Sequence, residues 1–209
     1  MFSGIVQCIA EVREFTEKEG GGVTMDIVAP LPVERFEIGA SVAHSGACMT
    51  VVRATSLEAQ KTEFTIDVSP ESLAKTTMSL WRKGSMINLE TSLRVGDENG
   101  GHNLMGHVDG LAELVTLRQR GDHYDLRFRV DPQFMKFLPN KGSVGLDGIS
   151  LTIVEPNREM HTFGVAVIPH TWQETTLHTR HVGDWLNFEI DAFARYIATY
   201  VDHVMETKG

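Results

Sequence analysis

Short apolar runs alternate along the chain with clusters of turn-forming residues. Six runs are rich in β-branched and apolar side chains, which favour β-strands. They span residues 23–29, 48–55, 62–68, 124–130, 151–155 and 162–168. The three glycines at 20–22 predict a hairpin loop between strands, not a phosphate-binding loop. About six short strands in each half suit a small antiparallel barrel whose edges are closed.

The second half of the sequence repeats the first. With a shift of 102 residues, segment 41–52 falls on segment 143–154. After a loop that is three residues shorter in the second half the shift is 99, and Asn88 falls on Asn187. A single register over nearly the whole chain indicates a duplicated domain, because a period near 100 is too long for a solenoid. The turn-rich stretch 97–101 predicts the boundary.

Two helical features accompany the strands. Ser69 and Pro70 predict a short helix with serine as N-cap and proline at its first position, and Pro169 repeats it. After Asp191 the apolar residues follow the spacing of an amphipathic helix. They are Phe193, Tyr196, Ile197, Tyr200, Val201, Val204 and Met205. This helix packs on its own barrel or associates with another copy, and the spacing leaves both open.

The fold class expected is therefore mainly β. We expect two tandem six-stranded antiparallel Greek-key barrels with one C-terminal α-helix. The first barrel is expected to span residues 1–98 and the second residues 99–190, while the helix occupies residues 191–209.

Composition excludes several functional classes. The chain has 209 residues and a formal net charge of −9, so it has no basic footprint for nucleic acid or anionic lipid. Its apolar stretches are short for a membrane span, and its first residues lack the pattern of a signal peptide. Cys8 and Cys48 have no paired spacing, which favours a reduced cytosolic protein. The acidic balance indicates a neutral or weakly charged ligand.

Candidate chemistry begins with the histidines and cysteines. His102 and His107 are five residues apart, but no neighbouring residue completes a ligand set, so we expect no metal. His107 falls on Ile5 in the repeat, which makes it either a functional residue or an ordinary surface histidine. Cys48 is a nucleophile or a small buried residue, and Ser150 falls on the same repeat position.

Paired small polar residues are the more informative pattern. Thr50 and Thr152 are repeat partners, as are Ser41 and Ser143. Two barrels with matching polar strands predict two similar sites for two copies of one polar, uncharged ligand. Holding both copies would convert a reaction between identical molecules into an effectively unimolecular step.

Several motifs resemble those of riboflavin synthases, in the same order. Residues 1–7 (MFSGIVQ) are similar to M-F-T-G-I-V-Q, and residues 39–51 (GASVAHSGACMTV) resemble G-A-S-V-A-x-N-G-x-C-L-T-V. Residues 100–110 (GGHNLMGHVDG) resemble the junction G-G-H-x-x-x-G-H-V-D-G. The second-half motifs are matched by 141–143 (KGS), 147–152 (DGISLT) and 168–171 (IPHT). The resemblance extends from Met1 to about Ile197.

The resemblance implies an activity and an assembly. The activity is dismutation of two 6,7-dimethyl-8-ribityllumazine molecules to riboflavin and 5-amino-6-ribitylaminouracil, with no cofactor. The assembly implied is a cytoplasmic homotrimer with the C-terminal helix at its core and a site between barrels of different subunits. A functional link to lumazine synthase is a further expectation. The alternative is a lumazine or flavin carrier of the same fold that turns nothing over. A flavin-reductase-like barrel would need a nicotinamide-binding domain, which the sequence does not contain.

The resemblance also assigns residues. Those expected at the chemistry are Phe2, Ser41, Cys48, His107 and Ser150. First-barrel substrate contacts would be Gly4, Ile5, Val6, Cys48, Met49, Thr50, Asp67, Val68, Ser69, Pro70, Glu71 and Ser72. Second-barrel contacts would be Gly106, His107, Val108, Lys141, Ser150, Leu151, Thr152, Ala166, Val167, Ile168, Pro169, His170 and Thr171, with Asp191 in support. The sequence departs from the family pattern at Ser45, where asparagine is usual, and at Met49, where leucine is usual.

Overall fold

The first half of the chain is a closed six-stranded barrel. The structure, a computed structural model, describes residues 1–58 and 60–207. Its first six strands are β1 (Cys8–Glu17), β2 (Val23–Ala29), β3 (Ser41–His44), β4 (Ala47–Glu58), β5 (Lys61–Val68) and β6 (Met86–Thr91). They close in the order β1-β2-β5-β4-β3-β6, and all pairs are antiparallel. The non-sequential order is that of a Greek key.

The second half repeats this topology in seven strands. They are β7 (Gly110–Arg120), β8 (His123–Arg129), β9 (Ser143–Leu146), β10 (Ile149–Thr152), β11 (Val154–Asn157), β12 (Thr162–Val167) and β13 (Trp185–Ile190). Their order is β10-β9-β13-β7-β8-β12-β11. β10 and β11 therefore lie at opposite ends of the sheet order but are joined through Ile153. Together they are the counterpart of β4, so the predicted pair of similar barrels is confirmed.

The division between β10 and β11 corrects one expectation. The sequence predicted an unbroken strand over residues 151–155, whereas the structure interrupts it at Ile153. Glu155 has a φ of 45°. Pro156 then removes a main-chain donor from the ladder. These two features distinguish this strand from the continuous β4, whereas the hydrogen bond from Ile153 to Gly142 is matched in the first barrel by that from Val51 to Ala40.

Each barrel has its own apolar core. Phe64 and Phe163 are repeat partners, and both are fully buried at the centres of their barrels. Phe64 stacks on Phe36 with ring centroids 4.5 Å apart. Burial of one such side chain contributes roughly 1.5–3 kcal/mol. Two separate cores mean that each half can order the loops and strands of its own site.

Short helices follow β5 and β12. They are α1 (Pro70–Lys75) and α2 (Pro169–Glu174). The Ser69 hydroxyl accepts a hydrogen bond from the N–H of Ser72 at 3.1 Å, so the predicted N-cap is confirmed. Ile168 occupies the cap position of α2 and gives no such bond. The repeat therefore preserves the turn but not its polar cap.

The C-terminal helix α3 (Ala192–Glu206) exposes its apolar stripe. Phe193, Tyr196, Ile197 and Tyr200 are each more than 60% exposed. The helix is held instead at its polar side, where Arg195 donates to both carboxylate oxygens of Asp109 at 2.7 and 2.6 Å. The stripe does not cover its own barrel, and residues 208–209 of the expected helical segment lie outside the described residues. Among the described residues, no helix is long and apolar enough to cross a membrane.

Candidate active site

The two barrels meet through repeat-related main-chain contacts. The N–H of Cys48 donates to the carbonyl of Gly106, and the N–H of Ser150 donates to the carbonyl of Gly4, both at 2.9 Å. Phe2 and Leu104, themselves repeat partners, pair with each other. A residue that pairs with its own repeat counterpart marks a local two-fold axis. The small polar residues predicted from the repeat therefore lie at the junction of the barrels.

Glycine is required at both of these contacts. Gly4 and Gly106 each have a φ of 76°, which side chains rarely adopt. A Cβ on Gly106 would lie 2.4 Å from the Cβ of Cys48, and one on Gly4 would lie 2.6 Å from the Cβ of Ser150. Both distances are far below van der Waals contact. The two glycines allow the segments just before β1 and β7, residues 1–7 and 103–109, to reach a strand of the other barrel. These segments are called the entry loops.

Two buried carboxylates hold the entry loops. Glu90 accepts hydrogen bonds from the N–H groups of Ser3 and Gly4 at 2.7 and 3.0 Å. Glu189 accepts from the N–H groups of Met105 and Gly106 at 2.6 and 3.1 Å. Burial raises the pKa of both carboxyl groups, while these hydrogen bonds act in the opposite direction. The repeat thus supplies one carboxylate for each loop.

A reciprocal amide pair ties the barrels together. The Asn88 side chain donates to the carbonyl of Asp147 at 2.9 Å, and that of Asn187 donates to the carbonyl of Ser45 at 2.8 Å. Ser45, where the family pattern has asparagine, adopts a φ of 43°. Its hydroxyl accepts from the N–H of Asn88 at 3.2 Å. The substitution therefore keeps a hydrogen bond at this turn.

A gap opens between β4 and β5. Their paired register begins at Val51 opposite Ile66, so residues 48–50 of β4 and 67–68 of β5 lie outside this ladder. Over this stretch each strand stays paired to its other neighbour. The two strands diverge and leave a space bordered by main chain.

Main-chain groups of Thr50 face this gap. The N–H of Cys48 points away from β3, because it donates to Gly106. Alternate residues of a strand direct their main-chain groups to the same side. The N–H and C=O of Thr50 therefore point to the gap, and its side chain is exposed. Asp67 is exposed on the opposite border, where Lys18 and Thr24 donate to its carboxylate and lower its pKa.

The second barrel contains the same gap. β11 pairs with β12 from Val154 opposite Gly164, so β10 is not paired with the end of β12. Ser150 donates across the barrel junction, so by the same alternation the main-chain groups of Thr152 face this second gap. Ala166 is exposed on its far border. The chain thus holds two repeat-related gaps.

His102 adds a titratable group beside the second gap. Its Nδ1 lies 2.6 Å from the Ser150 hydroxyl, and the ring is mostly buried. Burial lowers the pKa of His102, and the negative charge of Asp191 opposes that shift. Burial has the larger effect, so the ring is neutral at pH 7. Its Nε2 is buried and has no hydrogen-bond partner among the described residues, and a neutral imidazole can accept a proton.

Comparison with known proteins assigns the family. The Lumazine binding domain model matches residues 3–92 and again residues 105–191. The riboflavin synthase of Brucella abortus is 41% identical over 198 residues, which cover 95% of this chain and 96% of that protein. The chain belongs to the riboflavin synthase family. The expected resemblance and the expectation of an enzyme of this family are both confirmed.

Further riboflavin synthases match over the full chain. That of Chlamydia pneumoniae is 39% identical over 100% of this chain and 99% of its own length. That of Bacillus subtilis is 34% identical over 100% of this chain and 93% of its own length. A LumP structure in complex with riboflavin covers 91% of this chain and 99% of its own, with a TM-score of 0.79 and 21% identity. This last likeness supports the fold alone.

Apart from Ser41, Lys141 and Asp191, the residues assigned by the family resemblance fall into three groups in the structure. One group lies at the barrel junction: Phe2, Gly4, Ile5, Val6, Cys48, Gly106, His107, Val108 and Ser150. A second lies at the strand gaps: Met49, Thr50, Asp67, Val68, Leu151, Thr152, Ala166 and Val167. A third lies at the starts of the short helices: Ser69, Pro70, Glu71, Ser72, Ile168, Pro169, His170 and Thr171. Their catalytic and binding roles stay predictions.

Within the junction group Phe2 and His107 differ in exposure, and Ser41 and Lys141 lie outside the three groups. Phe2 is 1% exposed and packs with Ala43 and Leu104 at the local two-fold axis. His107 is exposed one residue beyond the junction glycine. Ser41 borders a separate cleft on the far side of β4, and exposed Lys141 adopts a φ of 68°. The single chain therefore does not bring all the assigned residues to one place.

His102 is a candidate site residue that comparison of the two halves did not single out. With a shift of 102 residues, His102 has no partner residue in the first half, so a difference between repeat partners could not reveal it. Its signal was the junction motif in residues 100–102, Gly-Gly-His. A Cβ on Gly101 would lie 2.9 Å from the Ser150 hydroxyl. The glycine before His102 therefore lets this segment pass against Ser150.

Proposed function

We propose that this chain is a riboflavin synthase that converts two molecules of 6,7-dimethyl-8-ribityllumazine into riboflavin and 5-amino-6-ribitylaminouracil. The observation that carries the proposal is the pair of repeat-related strand gaps, bordered by Thr50 and by Thr152. A reaction between identical molecules needs two similar sites. Holding both rings makes their encounter effectively unimolecular.

The gaps suit a flat ring with an amide-like edge. The pyrimidinedione part of a lumazine presents N–H and C=O groups in one plane, as a peptide does. It would pair with the free main-chain groups of a diverged strand in the way that an added strand pairs with a sheet edge. The exposed hydroxyls of Thr50, Ser69 and Thr152 are suited to the ribityl chain. Main-chain recognition needs no charged side chain, which fits a neutral ligand.

His102 is the base that we propose for the first step. The C7 methyl group of the donor lumazine loses a proton to give an anion delocalised over its ring. Neutral His102 accepts that proton, and Asp191 stabilises the imidazolium that forms. Ser150, 2.6 Å from the ring nitrogen, fixes the orientation of the imidazole. Cys48 occupies the repeat-equivalent position at the first gap.

The proposed reaction is balanced without a cofactor. The donor gives up a four-carbon unit, namely C6, C7 and their two methyl groups. The acceptor gains these four carbons and becomes riboflavin, while the donor becomes the diaminouracil. All atoms of two lumazines appear in the two products, so no oxidant or reductant is needed. The lumazine ring itself accommodates the electron pairs that move.

We extend the proposal to the assembly. Because the apolar stripe of α3 is exposed, we propose that three copies bury it against one another as a homotrimer. The reacting rings would then meet between the first barrel of one subunit and the second barrel of another. A cytoplasmic location and a functional link to lumazine synthase are proposed on the family resemblance alone.

Incubation with the lumazine alone tests the function. Purified protein mixed with 6,7-dimethyl-8-ribityllumazine should form riboflavin over many turnovers, followed by absorbance and confirmed by chromatography. The diaminouracil should appear in an equal amount. A protein that binds the lumazine tightly and forms no riboflavin would be a carrier of the same fold, and the proposed activity would be wrong.

A further inference from the structure

A cleft on the first barrel lies apart from the strand gaps. Its volume is about 380 Å³, and β4 separates it from the gap at Thr50. It is lined by Arg35, Glu37, Ala40, Ser41, Thr91, Ser92, Leu93 and Arg94. Two arginines and one glutamate give this lining a net positive charge, in a protein whose formal charge is −9.

Neither arginine of the cleft is neutralised by a carboxylate. Arg35 donates to the Thr91 hydroxyl at 2.6 Å, and Arg94 donates to the carbonyl of Glu34 at 3.3 Å. Within the described residues, neither guanidinium lies within 4.0 Å of a carboxylate oxygen. Arg53, Arg127 and Arg129, by contrast, each form an ion pair. Arg35 and Arg94 therefore keep donors for an added anion.

Hydroxyl groups complete one wall of the cleft. Thr91 accepts from Arg35 and donates to the side chain of Gln7 at 3.1 Å, so its position is fixed from both sides. The Ser92 hydroxyl donates to the carbonyl of Ser41 at 2.7 Å. These bonds order the wall that the arginines face.

The second barrel does not repeat the arginines. The shift of 102 places Phe137 at the position of Arg35, and Phe137 packs against the core of the second barrel. Arg94 follows β6, where the second half continues into α3 and has no equivalent residue. The first barrel therefore has two cations beside an open cleft that the second barrel does not repeat. The charge is specific to one of two otherwise matching barrels.

We propose that this cleft is a binding site for a phosphate group, either inorganic phosphate or a phosphate monoester. Guanidinium groups bind the tetrahedral oxygens of phosphate with paired, charge-assisted hydrogen bonds. Ser41 is the direct cross-strand partner of Thr50. If the proposed function holds, a ribityl 5-phosphate chain on a ligand in the first gap would have to cross β4 at this pair to reach the cleft. Binding of inorganic phosphate does not depend on that function.

Titration calorimetry with inorganic phosphate, in the absence of lumazine, tests the site. The proteins compared are the wild type, Arg35→Gln, Arg94→Gln and the double variant, at constant ionic strength in chloride. Arg158→Gln is the charge-matched control, because Arg158 is exposed in the second barrel and distant in sequence from the cleft. Melting curves without phosphate show whether each variant is folded. If Arg35→Gln does not fold, Arg94→Gln still tests the site, because it removes an exposed side chain.

The wild type and the control should bind phosphate with equal affinity, whereas each cleft variant should bind about tenfold more weakly or worse. Ribitol 5-phosphate distinguishes the two sources of the group. Tighter binding than inorganic phosphate supports a monoester, and equal binding supports the free ion. The proposal is overturned if the wild type binds no phosphate at millimolar concentration, or if the double variant binds as the wild type does. A negative result for phosphate binding would not contradict the proposed riboflavin synthase activity, which the lumazine assay tests separately.

Discussion

His102 combines three properties that a catalytic base requires. It contacts the Ser150 hydroxyl, it lies within electrostatic range of Asp191, and burial lowers its pKa below the usual 6.5. A depressed pKa keeps the imidazole neutral, and able to accept a proton, at lower pH than a free histidine. Sequence reasoning instead selected His107, because that residue differs from its repeat partner Ile5.

The first prediction separates the two histidines. His102→Gln should lower the turnover number about a hundredfold or more with little change in KM, since a base acts only in the transition state. The wild-type turnover number should fall only below pH 6.5, as His102 becomes protonated, and the variant should lose that acid limb. His107→Gln, measured in parallel, shows the effect of a neighbouring exposed histidine. Wild-type turnover in His102→Gln would remove it from the mechanism.

His44 is a buried ionisable residue inside the first barrel. It is fully buried, its Nδ1 lies 2.9 Å from the carbonyl of Val42, and burial lowers its pKa to about 4. Its repeat partner in the second barrel is Leu146. The unfolded chain binds a proton near pH 6.5, whereas the folded chain does so only near pH 4. Stability from the neutral ring is therefore complete above pH 6.5 and is lost as the pH falls from 6.5 toward 4.

The second prediction tests the pH dependence of stability by replacing His44 with leucine, the residue at the equivalent position of the second barrel. The free energy of unfolding of the wild type should fall by about 1.4 kcal/mol per pH unit below pH 6.5 through this group alone. His44→Leu should lack this contribution, so its free energy of unfolding relative to that of the wild type should rise by about 2 kcal/mol from pH 7.5 to pH 5. Urea unfolding at both values measures the difference. Parallel losses in the two proteins would show that His44 does not titrate in this way.

At the scale of elements, local patterns predicted most strands but not where they diverge. β2 has the predicted bounds, and Ser69 caps α1 as its sequence indicates. The gaps beside Thr50 and Thr152 arise from cross-strand register, which depends on residues far apart in the chain. The division at Ile153 goes with the φ of Glu155 and with Pro156, of which only the proline is visible in the sequence. The cross-strand register leaves no signal in a window of neighbouring residues.

The helix α3 also shows what a local sequence pattern does not predict. Its 3–4 spacing predicted an amphipathic helix, which the structure confirms, but spacing alone left open what the apolar face contacts. Lys136 and Asp202 form an ion pair beside the bidentate pair of Arg195 and Asp109, and these hold the polar side against the second barrel. The aromatic side is left exposed, a large apolar surface that favours association.

The third prediction concerns this surface. Tyr200→Glu places a charge in the stripe, and Thr199→Glu places the same charge outside it. Because burial of each large side chain contributes roughly 1.5–3 kcal/mol, the first change should dissociate the trimer and the second should not. Sedimentation velocity measures the mass, and the lumazine assay should show activity lost with the trimer. A fully active monomer would contradict the intersubunit site.

At the scale of the whole molecule, duplication explains both the junction and the proposed chemistry. The repeat was visible in the sequence, and it correctly placed Cys48 and Ser150 at equivalent positions. It could not show that the entry loops exchange, so that Gly4 contacts Ser150 and Gly106 contacts Cys48. That exchange ties two similar barrels into one unit. Each barrel has a gap that we propose holds one ligand, and only the second gap has His102 beside it.

A mixture of labelled and unlabelled lumazine tests the central claim. This claim is that both four-carbon halves of the benzenoid ring of riboflavin come from the same substrate. Equal amounts of unlabelled lumazine and lumazine labelled with ¹³C at C6, C7 and both methyl groups are incubated with the enzyme, and riboflavin is analysed by mass spectrometry. The account predicts riboflavin with no label, one labelled four-carbon unit or two, and the mixed product should be roughly twice as abundant as either pure one, because each ring is drawn from the pool independently. Riboflavin that never carries two labelled units would contradict the account, since the added carbons would then come from another source.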